Sequence, residues 1–248
     1  PMRGVYRAIS QQIQPIRDNL PKLKTTAGKL IPLVRAMPAL AGYPDQASYL
    51  LLLENNNELR PTGGFIGTYG VLKVKNAGIT QFQTDNVYNL DDPAAKYLNI
   101  EPPAPLKKYL NSKQWLFRDS NWSPDFATSA EKALWFYQQE NGPEKNFNGV
   151  LAITPSYMAS LLKVIGNQKI DGVLFTPDNL VDALEERVGK GYYTLGIHEA
   201  ERKSIIGKLG LQIKDEVFKL PMARMADVAK ATIESLEEKQ ILIYHKSP

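Results

Sequence analysis

Residues 49–70 read Y-L-L-L-L-E-N-N-N-E-L-R-P-T-G-G-F-I-G-T-Y-G. The first five, Tyr49 to Leu53, form an apolar run of strand length, without helical spacing and too short to cross a membrane. They predict a buried strand. At its end the chemistry changes: Glu54, three asparagines, Glu58 and Arg60 precede Pro61 and the pair Gly63-Gly64. Open α/β sheets keep their sites at such strand ends. Asparagine tolerates left-handed backbone angles, and paired glycines let a ligand or another strand come close. The stretch reads either as a turn between two strands or as a binding loop.

Beyond it, Phe65 to Val74 alternates as a second strand, Lys75 to Gly78 reads as a hairpin loop, and Ile79 to Asn86 as a third strand. Asp85, Asp91 and Asp92 follow that strand, and paired carboxylates near Arg60 suit a divalent cation or a general base. Pro93-Ala94-Ala95 reads as a helix start, which makes Asp92 a capping residue.

The next dense stretch is Q-W-L-F-R-D-S-N-W-S-P-D-F-A-T-S-A, residues 114–130. Ser123 followed by Pro124 predicts an N-cap, and Phe126, Ala130, Ala133, Leu134 and Tyr137 share one face of a helix running to Gln139. An anion fits at that N-terminus beside Arg118, and an ion pair of Arg118 with Asp119 or Asp125 explains the same residues.

Further along, Gly149 to Thr154 predicts a central strand, Pro155 to Val164 a helix, and Lys169 to Phe175 one strand. Thr176-Pro177-Asp178 opens a helix to Val188, and Gly189 to Gly196 is a loop without the residue order of a P-loop. Helices over 199–218 and 221–237 come next, the second with Met222, Met225, Val228, Ala229, Ile233 and Leu236 on its core side, before a strand over Ile241 to Tyr244.

Before the central strand, Val5, Ile9, Ile13, Ile16 and Leu20 recur at helical spacing, interrupted by Pro15, Pro21, Pro32 and Pro38. Residues 1–44 are therefore expected as kinked helices, either a stalk or helices packed on the sheet, and 45–248 as the main domain. Together the elements predict an α/β fold: an α-β-α layered domain around a mixed β-sheet, with an N-terminal helical segment.

Composition narrows the chemistry. The 248 residues are 43% apolar and 23% charged, which suits a folded chain with a full core. The net charge of +4 is scattered, and the densest basic cluster, Lys22 to Lys29, holds three lysines, so no nucleic-acid stripe is present. The absence of cysteine excludes disulfides, thiolate nucleophiles and cysteine-based zinc sites, and His198 and His245 stand outside any metal-ligand spacing. The first residue is Pro1 rather than Met, which leaves an N-terminal membrane anchor ahead of it as an expectation.

The segments N-N-N-E-L-R-P-T-G-G-F-I-G (55–67), D-N-V-Y-N-L-D (85–91), R-D-S-N-W-S-P-D-F-A-T-S-A (118–130), N-G-V-L-A-I-T-P (148–155) and L-L-K-V-I-G (161–166) resemble a bacterial surface-protein domain family of unassigned function, found downstream of a membrane anchor. The resemblance runs from about Ser48 to the C-terminus. More distantly, the order of parts is similar to the LytR-CpsA-Psr (LCP) family. Those enzymes move glycopolymers from polyprenyl pyrophosphate carriers onto cell-wall acceptors, with arginines on the pyrophosphate and aspartates around a divalent metal.

The resemblance implies an extracytoplasmic, membrane-anchored domain in cell-envelope assembly whose partner is a polyprenyl-phosphate-linked glycan or cell-wall polymer. It implies phosphate binding by Arg60, Arg118, Asn55 and Asn57, catalysis by Asp85, Asp91 and Arg118, and Mg²⁺ on Asp85 and Asp91. This chain departs from the family in reading Thr84-Asp85-Asn86 where the family has proline-arginine-aspartate, and in having fewer arginines. The competing expectations are a non-catalytic glycan- or lipid-binding module and a structural ectodomain. An enzyme of this type requires Arg60, Asp85 and Arg118 to converge beside an apolar trough for a polyprenyl chain.

Overall fold

The computed structural model describes residues 35–188 and 203–246. Among these, residues 35–47 with 74–78 make one small unit and the rest a second, larger one. In the small unit, the helical residues 35–40 (α1) end at Gly42, whose φ of +68° and the 2.0 Å that would separate a Cβ from Val74 O leave room only for glycine. Asn76 N and Ala77 N donate to the carbonyls of Gly42 (3.1 Å) and Ala41 (2.8 Å). The expected helices over residues 1–34 lie outside the described residues.

The larger unit is built on a five-stranded mixed sheet. In chain order its strands are β1 (Ala47–Asn55), β2 (Phe65–Lys75), β3 (Gly78–Asn86), β4 (Gly149–Ile153) and β7 (Ile241–His245), arranged β3-β2-β1-β4-β7. β1 lies parallel to β4 with Leu51 opposite Leu151, and β7 lies antiparallel to β4 with Ile243 opposite Leu151. Tyr49 to Leu52 are all buried because β1 is central and covered on both faces.

The two faces carry different helices. Leu50, Leu52, Ile66, Val150 and Ala152 pack with Ala130, Ala133, Phe136 and Tyr137 of α4 (Phe126–Gln139) and with Phe117 of a short 3₁₀ turn (Phe117–Asp119). On the same side α2 (Val87–Ala94) contributes Val87 and Leu90, and α3 (Ala104–Leu110) follows it in the chain. A second apolar cluster joins α5 (Pro155–Ile165), α6 (Leu180–Val188), α7 (Ser204–Lys219) and α8 (Met222–Glu237) through Leu162, Leu180, Leu209, Ile213 and Val228. The expected α-β-α layering around a mixed sheet is thus the observed fold.

Several local expectations need correcting. Residues 169–175 are not one strand: β5 (Gln168–Ile170) and β6 (Val173–Phe175) form a separate antiparallel hairpin, turned at Asp171 (φ 47°) and Gly172 (φ 82°). Aspartate-glycine favours the primed turns that match strand twist. The helix after β3 starts at Val87 rather than near Pro93, because Asn86 caps it by accepting from Tyr88 N (3.3 Å). Asp91 and Asp92 therefore lie within α2, and Asp92 is not its cap. At α4 the cap is Asp125, accepting from Thr128 N (2.8 Å), rather than Ser123. In α8, Met222, Ala229 and Ile233 are exposed, and the packed face runs through Met225, Val228, Thr232 and Ser235. Thr232 Oγ1 lies 3.0 Å from the hydroxyl of Tyr157 on α5, which fixes that rotation. Gly189 to Gly196 and the expected helix start at Glu199 lie outside the described residues.

Because Leu52 is fully buried in the central strand, Leu52→Ala is expected to lower stability by about 2–5 kcal/mol in urea unfolding, the range for emptying a packed core site.

Candidate functional site

The site begins where β1 leaves the core. Glu54 is the first charged residue after the apolar run and is only 1% exposed. Its Oε1 accepts from Thr62 Oγ1 (2.9 Å) and Asn121 Nδ2 (3.2 Å), and its Oε2 has no hydrogen-bond partner. Asn121 Nδ2 also reaches the carbonyls of Pro61 (2.9 Å) and Gly64 (2.8 Å). The turn over residues 61–64 is thereby folded down onto the strand end. Thr62 is held at φ 68°, a region β-branched residues rarely occupy. A Cβ on Gly63 would stand 2.5 Å from Glu54 Oε2, and one on Gly64 would stand 2.0 Å from Asn55 O. Burial pushes the Glu54 carboxyl up to about 8 despite its two hydrogen bonds, so the group is a neutral acid at pH 7.

The three asparagines hold the same loop. Asn55 Oδ1 accepts from Asn57 N (3.1 Å), and its amide donates to Glu58 (3.3 Å). Asn56 donates to Ser156 Oγ on α5 (2.8 Å), and Asn57 donates to Glu185 on α6. Asn55 and Asn57, expected to bind phosphate, are engaged in positioning the loop.

Arg60 and Arg118 do come together. Arg60 Nε lies 3.6 Å from Asp119 Oδ1, while Arg118 Nε lies 3.8 Å from Asp119 Oδ2 and its Nη1 donates to Asp91 (3.2 Å). Each guanidinium also covers a ring, Arg60 on Phe65 (5.6 Å) and Arg118 on Tyr88 (5.4 Å). They line a hollow of about 550 Å³ with Glu58, Lys113 and Asp119. Burial raises Asp119, and the two arginines pull it back. Asp91 is fully buried, and burial raises it despite Arg118. The buried Glu140 carboxyl acts on it as a neighbour, and Asp91 Oδ1 and Glu140 Oε2 are both buried with no hydrogen-bond partner. Glu140 is raised by burial first and then by the charge of Asp91, and it also accepts from Phe117 N (2.7 Å), fixing the turn that presents Arg118.

Next to this hollow runs a trough of about 650 Å³ lined by Leu53, Ile153, Met158, Val181, Leu184 and Ile206. Glu58, Phe65 and Tyr88 border both. Lys203 lines the trough as well, its ammonium on the carbonyl of Gly67 and 4.8 Å from the Tyr88 ring. A further apolar hollow of about 250 Å³, bordered by Val217 and Val228, shares Leu53, Ile153, Met158 and Ile206 with the trough.

Asp85 stands elsewhere. It accepts from Asn86 N (2.7 Å), Asn89 Nδ2 (2.6 Å) and Tyr69 OH (3.3 Å), and it lines a different hollow with Thr84, Ser204 and Lys208. A magnesium ion would have to displace Arg118 from Asp91 and three donors from Asp85. Among the described residues no group of three or more acidic or histidine side chains is placed to hold a metal ion.

A family model described as a protein of unknown function (DUF4012) matches residues 45–188, more than half of the chain. The chain belongs to the DUF4012 family. No curated protein matches it. The DUF4012 stretch contains Glu54, Arg60, Asp91, Arg118, Asp119, Asn121 and Glu140, whereas Lys203 and Ile206 lie beyond it.

Sequence reasoning passed over Glu54, Asn121, Glu140 and Lys203 as site residues. Two of them left a signal. Glu54 continues a strand buried on both faces, and Glu140 extends the buried 130-133-137 stripe of α4 by one more step.

A carboxyl raised from 4.5 to about 8 on folding binds its proton more tightly in the native state. Stability from this group is therefore full below about pH 4.5 and falls as pH rises toward 8. Urea unfolding between pH 5 and 8 is expected to show Glu54→Gln losing less stability than wild type, by on the order of a few kcal/mol across the window. Parallel profiles would show Glu54 ionised in the native protein.

Proposed function

We infer that the domain binds an amphipathic ligand of the polyprenyl phosphate class. The single observation behind this is the adjacency of the Arg60–Arg118 hollow and the apolar trough, which share Glu58, Phe65 and Tyr88. In this reading Arg60, Arg118 and Lys113 receive the phosphate head and the hydrocarbon runs along Leu53, Ile153 and Leu184. Each buried methylene contributes about 0.8 kcal/mol, so a trough of this kind selects a chain rather than a soluble phosphate.

The likeness to the LytR-CpsA-Psr family extends the proposal to a lipid-linked glycopolymer handled outside the cytoplasm, at a membrane that anchors the protein. In transfer from a polyprenyl pyrophosphate-linked glycan, the acceptor oxygen–phosphorus bond forms as the pyrophosphate bond breaks and polyprenyl phosphate leaves. Asp119, between two guanidinium groups and with its pKa raised by burial, takes the proton of the acceptor hydroxyl in this proposal. Asp91 acts as a positioning residue through Arg118. Asp85 has no part in this step.

A second reading, binding without turnover, is favoured by the ion pairs themselves. Both guanidinium groups already face buried aspartates, which leaves less free positive charge than a pyrophosphate requires.

Calorimetric titration with geranyl, farnesyl and geranylgeranyl phosphate tests the binding claim. Affinity is expected to rise with each isoprene unit. Arg60→Ala is expected to weaken binding by about tenfold or more, and Val181→Trp, which fills the trough, to remove the dependence on chain length. Equal affinity across the three ligands, or no change in either variant, overturns it.

A further inference from the structure

Two segments at the rim of the arginine hollow hold large apolar side chains in water. Leu59 is 90% exposed, Tyr109 74% and Leu110 45%. Both backbones are fixed. Glu58 N donates to Asn55 O (3.1 Å), Phe65 N donates to Glu58 O (3.1 Å), and Arg60 Nη1 donates to the Leu59 carbonyl (2.9 Å). In the other segment α3 buries Leu106 alone and is closed by Asn111 at φ 53°, whose N–H donates to Leu106 O. That leaves Tyr109 and Leu110 outside the core. The hollow that Arg60 and Arg118 line is bordered by Glu58 from the first segment and by Leu110 and Lys113 from the second, which places both on one rim.

Large apolar side chains held in water at the mouth of a site are unfavourable until something covers them. The residues among them identify the cover. Lys107, Lys108 and Lys113 belong to the second segment, with Lys108 Nζ 4.9 Å from the Tyr109 ring centre. Two acidic residues share the surface: Glu101 pairs with Lys107 (2.9 Å), and Glu58 accepts from Asn55 Nδ2 (3.3 Å). Lysine is depleted from the cores of protein interfaces, where its ammonium loses its water. At a bilayer the ammonium stays with the lipid phosphates while its methylenes, leucine and the tyrosine ring enter the headgroup boundary. Tyrosine favours that boundary because its ring is apolar and its hydroxyl is wet. A further reason for a bilayer rests on the prenyl phosphate reading: a ligand with a long hydrocarbon chain resides in a membrane, and the hollow that receives its head lies on this rim.

We propose that Leu59, Tyr109 and Leu110 dock the domain onto a phospholipid bilayer, with Lys108 and Lys113 at the level of the lipid phosphates. The chain has no cysteine, so Leu59→Cys and, as a control on α8, Lys230→Cys each give one attachment point for an environment-sensitive fluorophore. With vesicles of phosphatidylcholine or phosphatidylglycerol, free of any prenyl phosphate, the label at 59 is expected to shift to shorter wavelength and the label at 230 to stay unchanged. Affinity is expected to be about fivefold or more higher for phosphatidylglycerol, the contribution of roughly one lysine near an anionic surface. In vesicle sedimentation Leu59→Ser/Tyr109→Ser is expected to lose about tenfold or more in affinity, whereas Tyr109→Trp retains it. Neither altered residue lines the hollow or the trough, so farnesyl phosphate binding in vesicle-free buffer is expected to be unchanged in the double variant. Circular dichroism checks that the variants fold. A silent label at 59, an equal response of both labels, or equal sedimentation of the double variant overturns the docking proposal. A shift of the label at 59 with protein concentration in the absence of vesicles marks a second copy as the occupant and overturns it too. Absence of farnesyl phosphate binding by the wild type, with the label at 59 still responding to vesicles, overturns the prenyl phosphate reading alone.

Discussion

A carboxyl group without solvent at the end of the central strand constrains everything around it. Glu54 is buried because β1 is covered on both faces and its neighbours are apolar. A buried carboxylate is costly, so it stays protonated and takes Thr62 and Asn121 as partners. Asn121 then gathers the carbonyls of Pro61 and Gly64, and the turn must be tight enough to need a left-handed threonine and two glycines. This polar node ties two segments far apart in sequence, the 54–64 loop and the 117–121 turn. Those are the segments that carry Arg60 and Arg118.

The arginines inherit their positions from this frame. Arg60 follows directly from the turn, and Arg118 is fixed by the 3₁₀ turn whose Phe117 is buried beneath Tyr69 and Tyr137 and whose backbone bonds Glu140. Asp119 forms an ion pair with each guanidinium group, which offsets the repulsion between two like charges. The apolar trough beside them follows from the same strand ends: Leu53 of β1 and Ile153 of β4 are parallel neighbours, both at the C-terminal edge of the sheet. A polar head site and an apolar groove are adjacent because one sheet edge supplies both.

Much of the fold was legible in the sequence. The strand from Tyr49, the β2–β3 hairpin, the α4 stripe and the helices after β4 follow from periodicity and turn residues acting locally. The failures are also local in origin. The hairpin over 168–175 was hidden because two three-residue strands around Asp171-Gly172 carry too few residues to show alternation. The α8 face was misjudged because methionine and isoleucine suggested burial, while the bond between Thr232 and Tyr157 set the rotation. For the site, Arg60 and Arg118 meet at Asp119, and the environments of Glu54, Asp91 and Glu140 depend on partners distant in sequence. Asp85 is expected with them because it lies at the end of the third strand, which the hairpin returns toward Arg60, yet its bonds to Tyr69 and Asn89 turn it toward another hollow.

The central claim is that the sheet edge joins an anion site to a hydrocarbon site. The most direct measurement is the position of phosphorus in a crystal structure of the protein with geranylgeranyl phosphate. The account predicts phosphorus within hydrogen-bonding reach of both Arg60 and Arg118, with the first isoprene units against Phe65 and Tyr88. A phosphate bound elsewhere, with the two arginines still closed on Asp119 and Asp91, contradicts it.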